Sequence, residues 1–189
     1  MDSQQPDALP GKAPVDFRTE GIKYGIINGL IGLALLFGSY FCGFETFAKV
    51  QFLGSFVPYM AVVLILAGFQ LRKRNGGYLS FKEAIKFTFL SYIVAAVLLA
   101  IGNYILFVVV DKGLTERLFR FGVEKNIAML HSINAPQSEI DKVLKEANAN
   151  KTETNFKNIF LGMGINLIRD FVVSMLISIL IRRERPALN

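Results

Sequence analysis

The chain has one cysteine, Cys42, one histidine, His131, and no tryptophan. A lone cysteine excludes an internal disulfide, and one Cys with one His cannot assemble a zinc site. A Cys–His nucleophilic pair would require the two to meet, but Cys42 closes an apolar block and His131 lies in a polar segment. The plainer reading is a small apolar filler and a solvated imidazole. Walker-type and dinucleotide glycine loops are missing too. Charge is scarce at 19%, yet Lys and Arg outnumber Asp and Glu 21 to 15, for a net charge of +6. In a soluble domain such an excess would raise nucleic-acid binding. Here the basic run Arg72-Lys73-Arg74 abuts an apolar block without base-stacking aromatics around it. These deficits lead us to expect no enzyme, no cofactor, no metal and no nucleic-acid partner.

Apolar residues make up 52% of the chain and sit in four long blocks rather than at amphipathic periods. A bilayer core takes about 20 mostly apolar helical residues, and the blocks at 24–43, 53–71, 87–110 and 159–181 meet that length. Only helices satisfy their own backbone in lipid without closing a barrel. The expected class is therefore all-α: a polytopic membrane protein with four transmembrane helices in a membrane domain at 21–185. The segment at 1–20 carries Asp2, Asp7, Asp16 and Glu20 with Pro6, Pro10 and Pro14. It reads as a tail disordered to about Val15 rather than as a basic cleaved leader.

Lys and Arg on short loops set orientation. The tail has Lys12, Arg18 and Lys23; the second loop has Arg72, Lys73, Arg74, Lys82 and Lys86; the C-terminus has Arg182, Arg183 and Arg185. With four spans these three regions share a side, so both termini are expected in the cytoplasm of a plasma (bacterial inner) membrane. Anionic lipid headgroups are the partner expected for Arg72, Lys73, Arg74, Arg182 and Arg183, with simple topology as the plainer reading of the same charges.

The loops carry their own signals. Asn75-Gly76-Gly77 marks a turn, and Ser80-Phe81-Lys82-Glu83 fits a capping box opening a helix, expected on the inner surface before it bends into the third span. The outer loop at 111–158 reads as an amphipathic helix carrying Leu114, Leu118, Phe121, Met129 and Leu130. A short helix after Pro136, to about Ala147, follows it. Asn150-Lys151-Thr152 is a glycosylation sequon by pattern.

Three of these features also carry a family resemblance. Lys23-Tyr24-Gly25-Ile26-Ile27 opens the first span, and Gly76-Gly77-Tyr78-Leu79-Ser80-Phe81-Lys82-Glu83-Ala84 precedes the third. A charged helical loop then leads to a fourth span ending in Arg182-Arg183. Together they are similar to the bacterial integral-membrane family of unknown function DUF4199, over roughly residues 20–185. The resemblance implies a four-helix inner-membrane protein and carries over no catalytic residue. Arg169 and Asp170, inside the fourth span, depart from that pattern.

On insertion scales each of those charges costs about 2.5–3.5 kcal/mol at mid-bilayer, nearly cancelling the roughly 6 kcal/mol from the apolar residues of the span. Asn166, Asp170, Ser174 and Ser178 recur every four residues as one stripe, bordered by Arg169. A direct Arg169–Asp170 bridge between adjacent positions is expected to be possible but strained. Asn103 and Tyr104 on the third span, Tyr40 on the first and Tyr59 on the second fall at similar depth. Facing inward, they and Asn166 would build a polar cluster with the charged pair beneath it. Hydrogen-bonding between helices, a path for substrate, ion or proton, and outward snorkelling of Arg169 are all open readings of the cluster.

Gly25, Gly29 and Gly32 form a close-approach stripe on the first span, and Ala96 with Ala100 could do the same on the third. Contact within the bundle is favoured over a homodimer, although a homo-oligomer fits too. Functionally, the leading expectation is a non-enzymatic accessory or scaffold subunit bound to another membrane protein. The alternative is a small oligomeric transporter or channel using the group around Arg169 and Asp170.

Overall fold

The computed structural model describes residues 15–54, 58–149 and 155–184. Within them the chain is all-α, without a β-strand; an isolated bridge joins Leu79 to Arg183. Helix α1 is Phe17–Phe41, α2 Phe44–Gly54, α3 Tyr59–Arg74, α4 Phe81–Tyr104, α5 Leu114–Ser132, α6 Gln137–Ala149 and α7 Phe156–Ile181. Three helical stretches are long and apolar enough to cross a bilayer: Phe17–Phe41, Phe81–Val110 and Phe156–Ile181. Their outer faces expose large apolar side chains such as Leu30, Ile101, Ile168 and Leu176. That is the reverse of a soluble surface, and it marks a membrane-embedded protein.

Local chemistry starts these helices. Asp16 caps α1, its carboxylate accepting from the Arg18 backbone N–H at 3.0 Å and the Thr19 hydroxyl at 2.6 Å. The helix therefore begins at Phe17, inside the segment expected to form a tail. Ser80 and Glu83 close the capping box on α4, and the turn before it places Gly76 and Gly77 at φ 72° and 88°, left-handed values that favour glycine. α4 is one helix from Phe81 to Tyr104, and Ala84 and Phe87 in its first turns are already buried.

The expected second span at 53–71 is not one continuous helix. α2 ends at Gly54 and α3 starts at Tyr59, with Pro58 as its N-cap. Proline lacks the N–H a continuous helix would use. At 1.5 Å per residue, the 16 residues of α3 extend only about 24 Å, short of a bilayer core of about 30 Å.

Packing fixes directions that hydropathy leaves open. Gly21 lies against Phe87 and Leu90, Gly25 against Ser91 and Val94, Gly29 against Ala95 and Leu98, and Gly32 against Leu99. Both numbers rise together, so α1 and α4 are parallel. Thr88 meets Ser174 and Ser178, Phe89 stacks edge-on against Phe171, and Tyr104 against Phe156. α7 is thus antiparallel to α4. α3 opposes α1, with Tyr59 at Asn28 and Arg74 at Glu20.

Two apolar clusters anchor the ends. Leu64, Leu71, Leu79, Phe87, Tyr92 and Ile181 fill one. Leu36, Phe47, Leu106 and Leu114 fill the other, where a π-helical turn at Ile105–Val110 ends the apolar stretch Phe81–Val110. There α2 folds back on α1, and α5 packs Phe121 on Phe44. The sequon at Asn150-Lys151-Thr152, the residues before Val15 and Arg185 lie outside the described residues.

Candidate functional site

The adjacent charges on α7 do form a pair. Arg169 Nε and Nη2 both donate to Asp170 Oδ1, at 3.2 and 3.1 Å. The two side chains point to different surroundings. That of Asp170 is 12% exposed and faces the bundle, whereas that of Arg169 is 68% exposed on the outside. The guanidinium therefore reaches around the helix to its neighbour.

The rest of the expected cluster is divided. Ser174 is fully buried one turn from Asp170, its carbonyl accepting from the Thr88 and Ser178 hydroxyls. Asn166 is exposed on the outer face of α7. Asn103 is half-buried and turns back on its own helix, donating to the Leu99 carbonyl at 2.8 Å. The contact of Tyr104 with Phe156 puts Asn103 at the start of α7, ten residues, or about 15 Å, from Asn166. Tyr40 stands at the far end, donating to Asp111 Oδ2 at 3.1 Å, where Arg117 also binds.

The interior gathers a different set. Tyr92 on α4 is buried, and it lies within electrostatic reach of Asp170, Arg169 and Tyr59. Tyr59 on α3 donates its hydroxyl to the Asn28 carbonyl at 3.4 Å. A Cβ at Gly32 would sit 2.6 Å from that hydroxyl, so the glycine is what admits it. Asn28 is 1% exposed, and neither side-chain polar atom has a hydrogen-bond partner among the described residues. Hence α1, α3, α4 and α7 each contribute a polar group to the interior beyond their hydroxyls of Ser and Thr: Asn28, Tyr59, Tyr92 and Asp170. Asn28 and Tyr92 were not singled out from the sequence. Asn28 had a signal, since it lies on the stripe of Gly21, Gly25 and Gly32 and is the one amide in its block.

The basic residues collect at one end. Arg74 pairs with Glu20 at 2.6 Å, and Arg72 donates to the Ile181 carbonyl at 3.3 Å while covering the Phe69 ring. Arg183 exchanges backbone hydrogen bonds with Leu79 and lies over Tyr78. These three arginines clamp helix ends together. Lys73, Lys82, Lys86 and Arg182 are exposed around them.

The chemistry these groups support is hydrogen bonding and proton exchange at Asp170. Among the described residues no three His, Cys, Asp or Glu side chains come together as metal ligands, and Cys42 is free and exposed. Fold and site thus define a helical membrane-embedded protein with a polar interior. The chain belongs to the family described as "Protein of unknown function (DUF4199)", which matches residues 23–183. No curated protein and no solved structure matches the chain.

Proposed function

We propose that the chain crosses a bacterial inner membrane four times and acts as a non-enzymatic accessory or scaffold subunit, with both termini cytoplasmic. Parallel α1 and α4 support the four crossings. After α1 the chain must return before α4 can start from the same end, and α2 with α3 form the connection. The broken return also explains why hydropathy and helix length disagree about this crossing. Basic residues from α1, α3, α4 and α7 lie together at one end, and the positive-inside rule assigns that end to the cytoplasm.

One observation carries the accessory role. The outer face of α7 presents Asn166 and Arg169 near the middle of the helix among Ile165, Ile168 and Val172. An amide and a guanidinium facing lipid are costly, and a helix from a second membrane protein would cover both. A photo-crosslinking residue at Ile165 or Asn166, activated in native membranes, tests this. The expected product is a protein adduct of defined mass, a partner chain or a second copy. Exclusive crosslinking to lipid would refute the role.

The second reading, a small oligomeric transporter or channel, draws on Asp170 facing inward beside Tyr92. It predicts solute or proton flux in reconstituted vesicles that Asp170→Asn abolishes while the protein stays folded.

A further inference from the structure

Asn28 is the least explained side chain in the bundle. It sits within the glycine seam of α1, fully buried, with Oδ1 and Nδ2 both unpartnered among the described residues. Buried polar groups in native proteins are nearly always hydrogen-bonded, since desolvation goes uncompensated otherwise. Leucine has almost the same shape and would fill this position without that cost. An asparagine here calls for an occupant.

The chemistry of the site selects its class. An amide offers one acceptor and one donor group, so a partner that both donates and accepts satisfies it. A cation would engage Oδ1 alone and an anion Nδ2 alone. Asp170, the charged residue among the buried polar groups, is already paired with Arg169. The Tyr59 hydroxyl, at a long 3.4 Å from the Asn28 carbonyl, keeps its lone pairs free to accept. Ser174 is a second fully buried group with an unpartnered hydroxyl, one turn from Asp170.

We infer that the interior between α1, α3 and α4 binds water at Asn28, with the Tyr59 hydroxyl as its second protein contact. The bundle is hydrated at this level rather than dry, and Tyr92 and Asp170 face the same interior. This holds whether the protein works as an accessory subunit or moves a solute.

The test uses the full chain in nanodiscs. Water-edited solid-state NMR on uniformly 15N-labelled, unsubstituted protein reads polarisation transfer from water to the Asn28 side-chain amide. Transfer at the rate of other water-contacting groups is expected, and its absence overturns the inference. Exchanging NaCl for KCl or choline chloride at equal ionic strength should leave Tm unmoved; a rise specific to one cation would identify an ion site and displace the water assignment.

Discussion

α4 is held from two sides by different means. On one flank α1 approaches it through Gly21, Gly25, Gly29 and Gly32, and backbone meets side chain at van der Waals distance. A single side-chain hydroxyl adds a polar contact to that seam among the described residues, Ser91 donating to the Gly21 carbonyl at 2.8 Å. On the other flank α7 is joined through hydroxyls, with Thr88 Oγ1 3.1 Å from Ser178 Oγ and 3.4 Å from the Ser174 carbonyl. Lipid is as apolar as leucine, so helices in it gain little from hydrophobic burial and associate by close packing or by polar contacts. The glycine seam uses the first and is intolerant of volume. The hydroxyl seam uses the second, leaving α7 with a broad outer face for something else to cover.

That contrast sets the order of expected effects. Gly25→Leu should be the most damaging, because even a Cβ there would lie 2.7 Å from Val94 Cβ and 2.8 Å from the Ser91 carbonyl oxygen. Overpacking against backbone should cost about 3 kcal/mol or more, read from unfolding in mixed micelles. Gly38→Leu, with nothing within 4 Å of its Cβ, is the matched control and should stay near wild type. Equal losses at both positions would mean that the seam is not the cause.

Asp170→Asn takes the paired carboxylate from Arg169, so it should lower the insertion cost of α7 by less than the about 2.5–3.5 kcal/mol that removing an unpaired charge returns. Arg169→Gln with Asp170→Asn should return more than that, as reported by glycosylation mapping of the inserted helix. If the double variant is worse than the single one, the two charges do not act as a pair.

Ser178→Ala should cost only about 0.6 kcal/mol, and no more than about 1.7, which is the measured scale of hydrogen bonds between membrane helices. A loss as large as that of Gly25→Leu would erase the distinction between the two flanks.

The smallest effect lies outside the bundle, at Asp16. The Thr19 hydroxyl, and then the Arg18 backbone N–H, hold its carboxyl below the usual carboxylate range. A depressed folded-state pKa contributes stability that is present above the unfolded value, near 3.9, and is lost as pH falls through the folded one. Amide exchange in the first turn of α1 should therefore quicken, after correction for intrinsic rate, only below about pH 4. Asp16→Ala should show the faster exchange at every pH.

Much of this architecture was legible from local chemistry. The Ser80–Glu83 box, the Asn75-Gly76-Gly77 turn, the two helices of the outer loop and the close-approach glycines of α1 all recur where the pattern put them. Each depends on residues within a few positions of one another. The site was less legible. Stripe arguments place Asp170 and Ser174 on one face because they share one helix, and both are buried. Depth arguments could not bring Asn103 to Asn166, because the relative height of two helices depends on where each one starts and how it packs. Pro58 was noticed beside Tyr59, but its effect on the expected second span required knowing that α2 and α3 are separate helices. The π-turn at Ile105–Val110 has no marker in its run of apolar residues.

By itself, then, the sequence determined what the chain is made for: apolar segments of membrane length, their caps, and a basic excess concentrated beside them. These follow from transfer free energies and backbone hydrogen bonding, which act residue by residue. Tertiary structure decided that α1 and α4 run parallel, that the return between them is broken, and that Arg169 faces out while Asp170 faces in. It also decided that Asn28, an unremarked amide in an apolar run, is buried without a partner. Those outcomes depend on which surfaces fit at van der Waals distance, and a glycine stripe declares its fit only once the helix opposite is in place.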